Sequence, residues 1–409
     1  MSLTEAQLLE DVRQRLFAPS KSVFPRAVGL ELELIPIHRA THRRVLAVDD
    51  KRKSTSELLS RLAQREGWRE QSNDSDPPSW LLSDGARISF EPGGQIEIST
   101  SPHATASSVI ASTQSLAALL REAMTVDEID LVARGVDPYN DIDSVPLQLH
   151  RARYVGMTRY FDSIGPSGVQ MMRQTAALQI NLERGEKPAS RWRLLNALAP
   201  IIVALFANSR EYAGRATAWA SYRAHLWRTL DASRTGIVYD ESRYAERYLD
   251  FALDAIAMRK GGSGYQPFRS WIQDSSITAE DWIFHLSTLF PEVRPKEFFE
   301  MRSADTIEPD ALAAPVVFVT GLVYDEPSAT SAAEILDAPS NDLLEYAGKF
   351  GLANPEIRRL ASQLVPVALA GARRLGEDYI SARDVQTAAE YFDRVLQKRE
   401  TPKSSLSTP

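Results

Sequence analysis

The chain has 409 residues, 44% hydrophobic and 25% charged, with a net charge of -7. This supplies apolar material for one large core or two smaller ones, and its acidic balance argues against a dedicated nucleic-acid binder, which needs a basic face. Cysteine is absent, so disulfides, cysteine-ligated zinc and thiol catalysis are excluded.

In chain order, Leu8, Val12 and Leu16 form a stripe behind Ser and Thr capping candidates and predict an amphipathic helix on the outside of the fold. The charged start lacks the apolar stretch of a signal peptide. Val28 to Ile37 alternates as a strand, with Pro36 limiting its far end. Residues 39–79 read as a polar surface excursion holding one short helix. A hairpin is expected to turn at Asp84-Gly85, then run through a kink at Gly93-Gly94 into the strand "QIEIS". Helical patterning returns at Val109, Leu116 and Leu120, a strand at Thr175 to Glu183, and a helix from about Arg191 to Ser209. The apolar run Ala197 to Ala207 is the nearest approach to a membrane span and is too short for one, so a cytoplasmic location is expected. From about Asp310 the patterning is helical, and the final residues have the composition of a disordered tail.

Side chains two apart on a strand share a face. Glu31 and Glu33 therefore lie together, as do Gln95, Glu97 and Ser99, then Gln179, Asn181 and Glu183, and finally Glu300 and Arg302. A wet face of an antiparallel sheet explains any one of these strands. Together they are biased to Glu, Gln and Asn with hardly a lysine, and clustered carboxylates repel unless cations sit among them. Hard divalent ions, Mg2+ or Mn2+, favour such oxygen ligands. Arg228, Arg234 and Arg302 are candidate anion contacts, since arginine forks suit carboxylates and phosphates. No Walker A sequence, HExxH pair or serine-nucleophile elbow is present, and the glycine-rich stretch from Lys260 reads as a surface loop. Trp219, Tyr222 and Trp227 are expected in the core. A metal-dependent phosphohydrolase or phosphotransferase is one function these carboxylates permit.

The blocks "GLELE", "FEPGGQIEIS", "MMRQTAALQINLE", "WRTLDASRTG" and "HLSTLFPEVRPKEFFEMRSAD" occur in the order in which they resemble the glutamate-cysteine ligase family of the plant and bacterial type. Within it they look closest to the branch associated with ergothioneine synthesis. The resemblance implies a glutamine-synthetase-like α+β fold, with a curved antiparallel sheet forming a funnel-shaped active site flanked by helices. It places a catalytic domain at 1–310, a helical C-terminal region at 311–399 and a tail at 400–409. It further implies ATP and Mg2+, with Mn2+ as a substitute, and joining of glutamate to the amine of cysteine or of another acceptor, with neither nucleic acid nor membrane as a partner. By the same resemblance Glu31, Glu33, Glu91, Glu97, Gln179 and Glu300 would face metal. Arg302 would contact the transferred phosphate and the nucleotide, and Arg173, Asn181 and Arg234 would contact substrate, Arg234 also serving catalysis.

Overall fold

The computed structural model describes residues 3–20, 23–49, 51–73, 76–240, 242–258, 264–272 and 277–397. The tail and the first part of the glycine-rich stretch from Lys260 lie outside the described residues.

An antiparallel sheet of nine strands organises the molecule. The strands are β1 (Val28–His38), β2 (Arg69–Asn73), β3 (Asp76–Leu81), β4 (Arg87–Phe90), β5 (Ile96–Ser99), β6 (Ile129–Val132), β7 (Ala177–Leu182), β8 (Val293–Pro295) and β9 (Phe299–Asp305). Their order is β8-β9-β7-β1-β5-β4-β3-β2, and β6 pairs with the far half of β1. The register sets Glu33 opposite Glu97 on one side and Glu31 opposite Gln179 on the other, so polar residues of three neighbouring strands share one face. Leu30, Leu32, Leu34, Ile96, Ile98, Leu178, Ile180 and Leu182 take the opposite face and are buried in the main core. Period-two alternation is thus converted into a two-sided sheet, apolar on one side and acidic on the other.

The apolar face is covered by the helices Ala106–Thr125 and Pro188–Leu205. The run Ala197 to Ala207 is therefore core material. Behind them the helix Ala313–Val323 is buried on every side and packs on Pro355–Leu375 and Ala382–Gln397. Gly321 and Gly371 mark a close helix crossing: a Cβ on either would stand 2.2 Å from a carbonyl oxygen of the other helix. At the N-terminus, Thr4 caps the helix Glu5–Asp11 through a capping box, and Leu8, Val12 and Leu16 are buried as the stripe predicts. The C-terminal helices are likewise where the patterning places them.

Two expectations are corrected. Residues 39–79 are more than a surface excursion: besides the helix Thr55–Glu66 they supply β2 and β3 and a buried Arg44. The prolines Pro77 and Pro78 masked β3, which tolerates them because its ladder with β2 is irregular there and its pairing with β4 begins only at Trp80. Nor is Gly93-Gly94 a kink within a continuing strand. The chain reverses there, with the Glu91 N–H donating to the Gln95 carbonyl, so β4 and β5 form a second hairpin directly after the one that turns at Asp84-Gly85.

Candidate active site

The acidic face of the sheet opens into a cavity of about 240 Å³. The strands contribute Glu31, Glu33, Glu97 and Gln179, and the β4–β5 turn contributes Glu91 and Gln95. Two helices, Ala152–Ile164 and Pro166–Gln174, close it with Arg153, Tyr154, Met157, Met171 and Met172. Trp227, Phe290, Arg294 and Arg302 complete the wall.

Glu33, Glu91 and Glu97 converge, with one carboxylate oxygen from each lying within 4.8 Å of the others. Burial first, and then mutual repulsion, pushes all three pKa values up to about 8. Local hydrogen bonds fix the orientation of Glu33 and Glu97. The Ala177 N–H and the Gln179 amide donate to Glu33 at 2.8 and 3.2 Å, and Ser99 and Ser89 donate to Glu97 at 2.7 and 3.1 Å. A largely buried all-oxygen set that repels itself, with two of its members already oriented by their neighbours, fits a hard divalent cation, which would replace the protons the carboxyls otherwise retain. Glu31 lines the same cavity and accepts from the Asn181 amide at 3.0 Å.

Facing the acids is a cationic wall. Arg302 donates to Gln179 and, at 2.6 Å, to Glu300, and its guanidinium lies 5.2 Å from the Trp227 ring. The register of β9 against β7 shifts between Met301 and Ala304, while on its other side Arg302 continues the ladder with β8, its N–H donating to the Glu292 carbonyl. Such a bulge is a common way to re-aim a side chain beside a site. Arg294 grips Glu300 with two bonds of 2.7 and 2.9 Å, and Lys296 adds a third cation. Burial would raise the Glu300 pKa, but Arg294, Arg302 and Lys296 outweigh it and hold the carboxyl well below its ordinary value.

The structure therefore brings Glu31, Glu33, Glu91, Glu97, Gln179 and Arg302 together. Glu300 is fully buried and engaged by three cations, so it serves here as their anchor instead of as an open ligand. Asn181 reaches the cavity only through Glu31. Arg234 is placed elsewhere. It is completely buried, paired with Asp231 at 2.7 Å, and its other N–H groups are taken by the Thr288 and Ile256 carbonyls. It braces the chain segments behind the wall. Arg173 is not among the lining residues: its surrounding charges are Asp162 and Asp143, and its contribution toward the site is a backbone carbonyl.

Sequence reasoning missed Arg153, Tyr154, Trp227 and Arg294. Arg294 carried a signal, since a tight hairpin between β8 and β9 sets it directly opposite Glu300. Trp227 was expected in the core, yet it faces the cavity with its indole N–H unpartnered. Arg153 donates to the Ser287 carbonyl at 2.8 Å while its Nε has no partner. It sits on a helix whose facing cannot be read without knowing what that helix packs against.

Comparison with known proteins decides the family. A family model described as glutamate-cysteine ligase family 2 matches residues 27–396. The chain belongs to that family. It is 32% identical over 365 residues to the glutamate-cysteine ligase EgtA of Mycolicibacterium smegmatis, covering 82% of this chain and 83% of that one. It is 31% identical over 396 residues to the chloroplastic glutamate-cysteine ligase of Nicotiana tabacum, covering 90% and 74%. A crystal structure of glutamate-cysteine ligase from Francisella tularensis in complex with AMP shares the fold, with a TM-score of 0.54 at 12% identity, over 92% of this chain and 83% of that one. Membership in glutamate-cysteine ligase family 2 agrees with the α+β architecture, in which a large antiparallel sheet carries the site and helices flank it. Among the described residues, no helix is long and apolar enough to cross a membrane.

Proposed function

We propose that the chain is an ATP-dependent ligase that joins the γ-carboxylate of glutamate to the amine of cysteine, releasing ADP and phosphate. The observation that carries the proposal is the meeting, in one cavity, of the acids Glu33, Glu91 and Glu97 with the cations Arg153, Arg294 and Arg302. A carboxylate-to-phosphate reaction brings anions together, and such a site must offset their charge while holding them in line.

A divalent ion such as Mg2+, held by Glu33, Glu91 and Glu97, would neutralise phosphate oxygens of the nucleotide. The chain's own residues do the rest. Arg302, held by Gln179 and Glu300, presents a preoriented guanidinium to the phosphoryl group, and Arg294 reinforces it from the adjacent strand. Arg153, with its open Nε, is suited to a substrate carboxylate. The glutamate γ-carboxylate attacks the γ-phosphorus of ATP, forming γ-glutamyl phosphate as ADP leaves; the acceptor nitrogen then attacks the acyl carbon and phosphate departs. Met157, Met171, Met172 and Phe290 give the cavity a soft apolar side that suits a small thiol-bearing acceptor. The names of the relatives support the same acceptor.

The test is phosphate release from ATP and Mg2+ with glutamate, comparing cysteine with a panel of other amines and with no amine. Cysteine-dependent release with γ-glutamylcysteine as product is the expected result. Stimulation by a different amine alone would overturn the acceptor and keep the ligase chemistry, whereas ATP hydrolysis indifferent to glutamate would overturn the ligase reading.

A further inference from the structure

We propose that Arg44, outside the cavity wall, is the positioning residue that sets Glu91 among the metal-facing carboxylates. The proposal rests on the reading of Glu33, Glu91 and Glu97 as a cation site.

Of the three converging acids, Glu33 and Glu97 are held by paired strands, β1 and β5. Glu91 stands just past the end of β4, where the five-residue turn Glu91–Gln95 begins, and the turn must be fixed to within a fraction of an ångström if the three are to act as one ligand set. The turn's own closure, Glu91 N–H to Gln95 carbonyl and Gly94 N–H to Glu91 carbonyl, sets its shape but not its place. Its place is set from behind. Arg44 Nη1 donates to the Gly93 carbonyl at 3.2 Å and Nη2 to the Arg173 carbonyl at 3.4 Å, so one planar fork ties the turn to the end of the helix that precedes β7. The Gln148 amide supplies the second donor to the Gly93 carbonyl at 2.9 Å, and the Gln95 side chain bridges the Gly93 N–H to the Thr175 carbonyl.

Arg44 is itself fixed. Its Nε donates to Asp137 at 3.0 Å, with both side chains at most 1% exposed. Asp137 Oδ1 in turn accepts from the Tyr139 and Asn140 N–H groups. A buried ion pair is weak evidence for stability as such, because desolvation offsets most of its attraction. Its value here is geometric: a guanidinium offers donors in a rigid plane, which a lysine ammonium cannot reproduce. Gly93 shows how tight the clamp is, since a Cβ there would lie 1.9 Å from the Arg173 carbonyl oxygen.

The test measures Mn2+ binding directly by electron paramagnetic resonance, without nucleotide or turnover, alongside thermal unfolding. Arg44→Lys keeps the charge and loses the fork, and Gln148→Met keeps the shape and, without disturbing a buried charge, loses the bond to the Gly93 carbonyl together with the one the side chain accepts from the Ala47 N–H. Leu364→Ala, in the buried core of the helix Pro355–Leu375, serves as the purely structural comparison. The expected result is at least about a tenfold rise in the Mn2+ dissociation constant for Arg44→Lys and several-fold for Gln148→Met, with Leu364→Ala lowering the unfolding temperature and leaving Mn2+ affinity unchanged. Mn2+ affinity within about twofold of the unaltered chain in Gln148→Met and in any folded Arg44→Lys would overturn the positioning role. Failure of the unaltered chain to bind Mn2+ would overturn the cation site and the inference with it.

Discussion

At the residue scale, the decisive property of Glu33, Glu91 and Glu97 is that, buried or half-buried, they crowd one another while none of them has a direct ion pair among the described residues. Glu300, more completely buried than any of them, has three cations, and its pKa moves in the opposite direction. The contrast separates an anchor from an open site more sharply than residue type does, since all four are glutamates. Glu97→Gln should reveal it. Removing one of three mutually repelling carboxylates is expected to raise the unfolding temperature of the metal-free protein above neutral pH, while lowering ligation at least about a hundredfold. Thermal unfolding with chelator present, set beside the phosphate-release assay, measures both. A variant with near-normal turnover would remove Glu97 from the site.

At the element scale, the β4–β5 turn is the piece whose displacement matters most. Strand pairing protects the positions of Glu31, Glu33 and Glu97, whereas Glu91, at the start of the turn, depends also on contacts that the turn makes with the end of the helix that precedes β7. Gly93→Ala would drive a methyl group against the Arg173 carbonyl oxygen. We expect it to cost about 1–3 kcal/mol of stability as an overpacking substitution. The same variant should lose most of its divalent-cation affinity. Chemical denaturation gives the first quantity and cation titration the second. The bulge in β9 against β7 acts similarly for Arg302, whose side chain reaches both Gln179 and Glu300 while its backbone stays paired toward β8.

At the scale of the whole molecule, the acidic site makes stability depend on pH in a definite direction. The three carboxyls titrate near their ordinary value of 4.5 when unfolded and at about 8 when folded. Between those values the folded protein holds more protons than the unfolded chain, so stability falls as pH rises through that window and the penalty is complete above about 8. A divalent cation competes with those protons and binds better as pH rises. The increase in unfolding temperature on adding Mg2+ should therefore be larger at about pH 8.5 than at about pH 6. An equal increase at both would show that the carboxyls are not protonated in the metal-free fold. The rigid platform for this is the core, where the all-buried helix Ala313–Val323 and the glycine-spaced crossing with Pro355–Leu375 hold the covering helices against the sheet.

Much of the site was legible from local pattern alone. Alternation put Glu31 with Glu33 and separated Glu97 from its isoleucines, because strand facing depends only on residues two apart. Absence of cysteine and helical periodicity near the C-terminus were equally local facts, and five ordered motifs indicated the family. What tertiary structure alone decided was which cation meets which anion. Arg234 looked like a substrate contact and is consumed in a buried brace, Glu300 looked like a ligand and anchors three cations, and Arg44 lay in a stretch read as surface. Those outcomes depend on contacts between segments far apart in the chain, such as Arg44 with Asp137 or Arg302 with Gln179. Charge pairing across a fold is set by strand order, bulges and which elements pack together, none of which leaves a periodic mark in the sequence around the charged residue itself.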